Sequence, residues 1–214
     1  MKFTKDNTFC ISLQTATARQ RRMQKRFQYF GMEVTGWVAS TPDTLVDAFH
    51  GSMRPSEKAC AQSHINIWRH MVQENLEYAL ILEDDACFDK TWQVKLEQCT
   101  EQIHDTEWDV MMLNASESMT PIHTWRRSME QYLTAGYILS QHGAQKLLER
   151  FQGNFCASDW MLTRLQQDGH SYCYFPWLII QEGTDSTIRE DCSPDREKVV
   201  RLLKMINYDL DNYV

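Results

Sequence analysis

Apolar positions along the chain alternate between two rhythms, short unbroken runs and longer stripes at helical spacing. Thr8-Phe9-Cys10-Ile11-Ser12-Leu13 is the first run and reads as a buried strand. The polar Gln14-Thr15-Ala16-Thr17 turn then opens a helix to about Phe30, with Gly31 as its C-cap and Met23, Phe27 and Phe30 on one face. Glu33 to Ala39 alternates as a second strand. Thr41-Pro42-Asp43 puts proline at the first position of a helix expected to end by Gly51. A longer helix from Pro55 to about Asn75 lines up Cys60, His64, Ile67, Trp68, Met71 and Leu76, and runs directly into the strand Tyr78-Ala79-Leu80-Ile81-Leu82. Strand, helix, strand, helix with short joins is the order of a parallel sheet with crossover helices.

The second half continues the pattern less regularly. Trp92 to about His104 reads as an amphipathic helix and Glu107 to Asn114 as a strand, while Ala115 to Glu130 has no sustained period and reads as a long functional loop. Gln131 to Leu139 is a strand whose Ala135 and Gly136 imply a close approach to the backbone. Ser140 caps a helix carrying Ala144, Leu147, Leu148 and Phe151, stopped by Gly153. Ser158-Asp159 starts a helix to Asp168, and Asp159 falls at its positive end. An aromatic strand region, Ser171 to Gln181, is interrupted by Pro176; Glu182 to Arg189 is polar and turn-like, and Asp195 to Met205 is a basic amphipathic helix.

The expected fold class is therefore α/β, a mixed, mostly parallel Rossmann-like sheet flanked by helices. At 214 residues the chain fits one domain. A net charge of −7 argues against nucleic acid or an anionic membrane as a general partner. No stretch approaches the roughly 18 apolar residues of a transmembrane segment, and a cytoplasmic protein, or a piece of a longer one, is expected. The seven cysteines include no C-x-x-C pair, which favours buried thiols over a disulfide framework or structural zinc.

Glu83-Asp84-Asp85, at the end of the most apolar run, is the densest chemistry in the chain. Ligands of α/β sheets bind beyond the carboxyl ends of the strands. Alternation sends Glu83 and Asp85 to one side and Asp84 to the other. Two carboxylates about 4 Å apart repel by about 4 kcal/mol at an effective dielectric of 20, a cost that a divalent cation turns into attraction. Oxygen-only ligands favour manganese or magnesium. A solvated, inert acidic turn is the alternative. Arg19, Arg21, Arg22, Lys25 and Arg26 crowd a helix whose N-terminus cations oppose, so either a bound anion or a solvated basic face accounts for them. His64 beside the buried stripe reads first as a hydrogen-bonded core histidine.

Several separated pieces together resemble glycosyltransferase family 25, the lipopolysaccharide and procollagen galactosyltransferase-like group. They are Ile11-Ser12-Leu13 with Arg19 and Arg21-Arg22, Ala59-Cys60-Ala61-Gln62-Ser63-His64, Leu80-Ile81-Leu82-Glu83-Asp84-Asp85, Thr134 through Ser140 with Gly143-Ala144, and Pro176 through Ser186. The resemblance departs at Ala59, where relatives usually place glycine. It implies a GT-A-like fold, with residues 1–114 as the nucleotide-sugar and metal half and 115–214 as the acceptor half. It further implies a UDP-sugar donor (UDP-galactose or UDP-glucose), a hydroxyl acceptor on a glycan, lipid-linked glycan, lipopolysaccharide or protein, and inversion at the anomeric carbon. On this view Glu83 and Asp85 hold Mn2+ or Mg2+ and neutralise the diphosphate leaving group. Asp84 orients the ribose or a metal-bound water, Ser12 contacts the nucleotide, and Arg19 or Arg22 the phosphates. The base that takes the acceptor's proton is expected at Asp159, with Asp185 and His64 as alternatives. Trp125, Trp160 and Trp177 are candidates for packing against sugar rings, or for the core. A metal-dependent phosphoesterase and a non-catalytic carbohydrate-binding module are the competing functions.

Overall fold

The computed structural model describes residues 1–114, 116, 117, 120–183 and 193–214, the side chains of Thr100 and 193–196 excepted. The chain runs through β1 (Thr8–Ser12), α1 (Thr17–Phe30), β2 (Thr35–Val38), α2 (Pro55–Gln73), β3 (Tyr78–Glu83), β4 (Ala86–Phe88), α3 (Trp92–Glu97), α4 (Cys99–Gln102), β5 (Val110–Met112), β6 (Thr124–Arg127), β7 (Gly136–Ser140), α5 (Gln141–Phe151), α6 (Ser158–Gln166), β8 (Ser171–Phe175), β9 (Ile179–Gln181) and α7 (Ser193–Met205). Seven strands form one sheet in the order β2-β1-β3-β7-β5-β8-β6, and β4 pairs with β9 in a second, small sheet. β1 is parallel to β2 and β3, and β5 to β8. β7 is antiparallel to β3 and β5, and β6 to β8. Five of the seven strands thus point the same way, giving the expected mixed, mostly parallel sheet flanked by helices.

The two faces of this sheet are read by alternation. Phe9, Ile11, Ala79, Ile81, Tyr137 and Leu139 face α2, α5 and α6. Cys10, Leu80, Leu82, Met111 and Ile138 face α1, α3 and the small sheet. A third cluster seats Val199 and Leu203 of α7 on Phe175, Trp177 and Ile180. Among the described residues no helix is long and apolar enough to cross a membrane.

Three expectations about elements need correction. The helix expected after Thr41 is a single 3-10 turn, Pro42–Thr44. Beyond it the backbone N–H groups of Val46 and Asp47 donate to the Gln62 side chain, and Phe49 bridges to Phe155, so helical bonding is replaced by bonds to neighbouring elements. The helix expected from Trp92 to His104 is broken at Gln98 into two short pieces and ends at Gln102. The supposed loop between Ala115 and Glu130 contains the edge strand β6, anchored where Trp125 donates its backbone N–H to Gln102 Oε1 (2.7 Å) and its indole N–H to Lys95 O (2.8 Å).

The close approach expected at Gly136 is present. A Cβ there would stand 2.3 Å from Ile179 Cδ1, so glycine lets the small sheet lie against β7. Ser140 caps α5 by accepting the N–H of Gly143 at 2.9 Å, and Gly31 closes α1 in the left-handed region at φ 62°.

Candidate functional site

Parallel strands β1, β2 and β3 end side by side, and a cleft of about 340 Å³ opens at those ends. Ser12, Arg19, Ser40, Cys60, His64, Glu83 and Asp84 are among its lining residues. Glu83 is the last residue of β3 and shares the face of Ala79 and Ile81, toward α2. There His64 Nε2 lies 3.3 Å from Glu83 Oε1, and Thr134 Oγ donates to the same oxygen at 2.5 Å. Asp84 goes to the opposite face, as alternation requires. Ser12 Oγ donates to its Oδ2 at 2.6 Å and Arg19 Nη2 meets its Oδ1 at 2.9 Å. Asp85 sits in the turn between β3 and β4. Its Oδ1 is sealed from solvent and has no hydrogen-bond partner among the described residues.

The carboxyls of the three acids are shifted differently because their partners differ. Burial works against the charge on Glu83, but His64 and Thr134 outweigh it and hold the carboxyl below its ordinary value. Burial raises Asp84, opposed by Ser12 and Arg19. For Asp85 the lowering pull of Arg19 and of its own backbone N–H is too weak. Burial and then the Glu83 charge push its carboxyl up to about 7. Burial and Glu83 also push the Cys60 thiol well up. Cys60, His64 and Glu83 each bring a ligand-capable atom within 4.8 Å of the others.

The family model described as glycosyltransferase family 25 (LPS biosynthesis protein) matches residues 5–123, which contain β1 through β5 and all three acids. The chain belongs to glycosyltransferase family 25. Among its relatives, procollagen galactosyltransferase 1 of Danio rerio is 32% identical over 113 residues, 48% of this chain and 19% of that protein. A Bos taurus protein named probable inactive glycosyltransferase 25 family member 3 is 28% identical over 171 residues, covering 67% of this chain and 28% of its own length. The chain therefore spans less than a third of the length of these two relatives. A glycosyltransferase involved in glycosylating the major capsid of PBCV-1 superposes with a TM-score of 0.43 at 8% identity, over 92% of this chain and 98% of that one.

The remaining candidates of this family 25 chain fall at different distances from the acids. Ser12 and Arg19 line the cleft, yet both are engaged by Asp84. Arg22 lies against Glu182 at 3.0 Å, with Arg26 at 3.5 Å from the same carboxylate, and Arg22 Nη2 has no partner among the described residues. Asp159 stands in the first turn of α6. Its neighbour Ser158 is 3.5 Å from Thr134 Oγ, which places Asp159 one residue from the Glu83 network. Asp185 and Ser186 lie outside the described residues. Trp125 and Trp177 are buried, whereas Trp160 is 47% exposed beside Asp159 with Arg164 over its ring at 4.5 Å.

Sequence reasoning gave no role to Thr134, Tyr137 or Trp68. Tyr137 is the register partner of Ile81, two residues before Glu83, so its side chain shares Glu83's face. The available signal was the run from Thr134 to Tyr137, whose small residues already marked β7 as a strand of special contacts.

Proposed function

We propose that this protein is a metal-dependent inverting glycosyltransferase that moves a hexose from a UDP-sugar, UDP-galactose or UDP-glucose, to a hydroxyl of a glycan, lipid-linked glycan or protein acceptor. The observation that carries the reading is the buried Asp85 Oδ1, which takes no hydrogen bond among the described residues, next to the ionised Glu83 at the carboxyl ends of parallel strands. A buried acid oxygen without a donor needs a partner, and two hard oxygen donors suit Mn2+ or Mg2+. Glu83 and Asp85 would hold that cation, which supplies charge neutralisation for the departing diphosphate.

The chain's own groups do the rest. The cleft between β1, β2 and α2 offers the small polar side chains Ser12, Ser40 and Ser63 to a nucleoside. Arg19, 14% exposed and held by Asp84, puts fixed positive charge at its edge. Asp159 takes the proton from the attacking hydroxyl, a role that its half-buried place beside the network supports. The exposed Trp160 gives the acceptor sugar an apolar surface. The first 114 residues thus serve donor and metal, and the remainder the acceptor. Cys10, Cys60, Cys99 and Cys156 are thiols, a state that a reducing cytoplasm keeps, and that is the proposed location.

A screen of UDP-sugars with and without Mn2+, with mass detection of product, tests this reading. Metal-stimulated transfer from one donor is expected; glycan binding without turnover of any UDP-sugar contradicts it and favours a binding module.

A further inference from the structure

Behind Glu83 runs a fully buried chain of side chains whose direction follows from counting hydrogens. The Trp68 indole N–H can only donate, and it gives its hydrogen to Tyr137 Oη at 3.0 Å. The phenol then needs an acceptor for its own hydrogen, and His64 Nδ1 is 2.8 Å away. Trp68, His64 and Tyr137 are all 0% exposed, so a phenol hydrogen aimed at another N–H would lose its partner and solvent together. Nδ1 therefore accepts. The neutral ring then carries its hydrogen on Nε2, the atom that faces Glu83 Oε1 at 3.3 Å.

We propose that Trp68 and Tyr137 are positioning residues that lock His64 in the Nε2–H tautomer, making it a fixed donor to Glu83. Together with Thr134 it pins Oε1 of that carboxylate, while Oε2 takes no hydrogen bond among the described residues. The relay thereby orients Glu83 toward a cation, and in this respect the inference rests on the metal-dependent reading above. Two roles are removed from His64. With its Nε2 lone pair replaced by N–H it is neither the base for the acceptor hydroxyl nor a ligand, so Cys60, His64 and Glu83 do not form a soft-metal site, despite their proximity.

The test has two readouts. In the protein labelled with 15N-histidine, long-range proton–nitrogen spectra report which ring nitrogen is protonated. The signals of His64 are picked out of the seven histidines by comparison with His64→Asn. A protonated Nε2 and a bare Nδ1 are expected in the wild type; Trp68→Phe, which frees the phenol oxygen to accept from Nδ1–H, should weaken that preference, and Tyr137→Phe should lose it. Mn2+ binding, followed by paramagnetic broadening without any donor sugar, should weaken about 10-fold in Tyr137→Phe, the scale of groups that orient metal ligands. In turnover the half-saturating Mn2+ concentration should rise similarly, with kcat at saturating metal little changed. A wild-type His64 protonated on Nδ1 overturns the proposal even if Tyr137→Phe does not fold, and so does unchanged Mn2+ binding in a folded Tyr137→Phe. Absence of UDP-sugar turnover alongside the expected tautomer and Mn2+ response contradicts the functional reading and leaves the relay standing.

Discussion

Asp89 is 1% exposed, yet it is charged, and its removal gives a prediction large enough to measure cleanly. It accepts from Lys95 Nζ at 2.7 Å, from the Thr91 N–H at 2.8 Å and hydroxyl at 2.7 Å, and from the Tyr208 hydroxyl. Lys95 is itself 9% exposed. Asp89→Ala therefore leaves a buried ammonium with Tyr208 as its one remaining side-chain partner among the described residues, and breaking such a pair costs about 3–5 kcal/mol. At about 2–4 °C per kcal/mol for a chain of this size, the melting temperature should fall by about 6–20 °C. Thermal and urea unfolding followed by circular dichroism measures this. An Asp89→Leu, Lys95→Met double variant should recover most of the loss, because apolar residues of similar volume replace a buried pair at little cost. Burial pushes the Asp89 carboxyl up, but Lys95, Tyr208 and Thr91 outweigh it and hold it below its ordinary value. A depressed carboxyl contributes stability that is complete above the unfolded value, about pH 4, and is lost as pH falls through the folded one. The gap between wild type and Asp89→Ala should therefore close on acidification. A fall of under about 2 °C at neutral pH, the size of an exposed ion pair, refutes the reasoning.

Gly136→Ala should cost about 1–3 kcal/mol, because its Cβ collides with buried Ile179, whereas Gly36→Ala, with open space around it, should lose no more than about 0.5 kcal/mol in the same unfolding assay. Asp159→Asn should slow acceptor-dependent transfer by about 10²–10⁴ while UDP-sugar binding, read by calorimetry, is kept; transfer within threefold of wild type removes Asp159 as the base. Asp47 is held below its ordinary range chiefly by the Arg69 guanidinium, which bonds it at 2.7 and 2.6 Å. In Arg69→Ala its carboxyl should titrate at higher pH by NMR, and an unmoved curve contradicts that cause.

Much of the sheet was legible because its strands are buried on both faces. β1 and β3 are apolar runs that no amphipathic helix explains, and α1, α5 and α6 carry their stops or starts in Gly31, Ser140, Gly153 and Ser158. β6 was hidden because an edge strand needs no apolar alternation. Its one core residue is Trp125, and Arg126 and Arg127 guard the open edge. The segment after Thr41 misled because its helical signal is local, while the Gln62 side chain that captures its N–H groups comes from the next helix.

The site divides in the same way. Glu83 and Asp84 could be assigned to opposite faces from strand alternation alone. Thr134 reaches Glu83, and Tyr137 reaches it through His64, only by way of an antiparallel pairing across more than fifty residues, so no spacing in the sequence carries them. Arg22 looked like a phosphate ligand by charge, but the structure gives it Glu182, a partner 160 residues away.

The central claim is that Glu83 and Asp85 form a cation site that activates a UDP-sugar. Release of UDP from UDP-galactose and UDP-glucose, measured against Mn2+ concentration in wild type and in the Glu83→Ala, Asp85→Ala double variant, tests it directly. Saturable Mn2+ stimulation in the wild type and its loss in a folded double variant is the predicted result; wild-type activity persisting in the double variant contradicts the account.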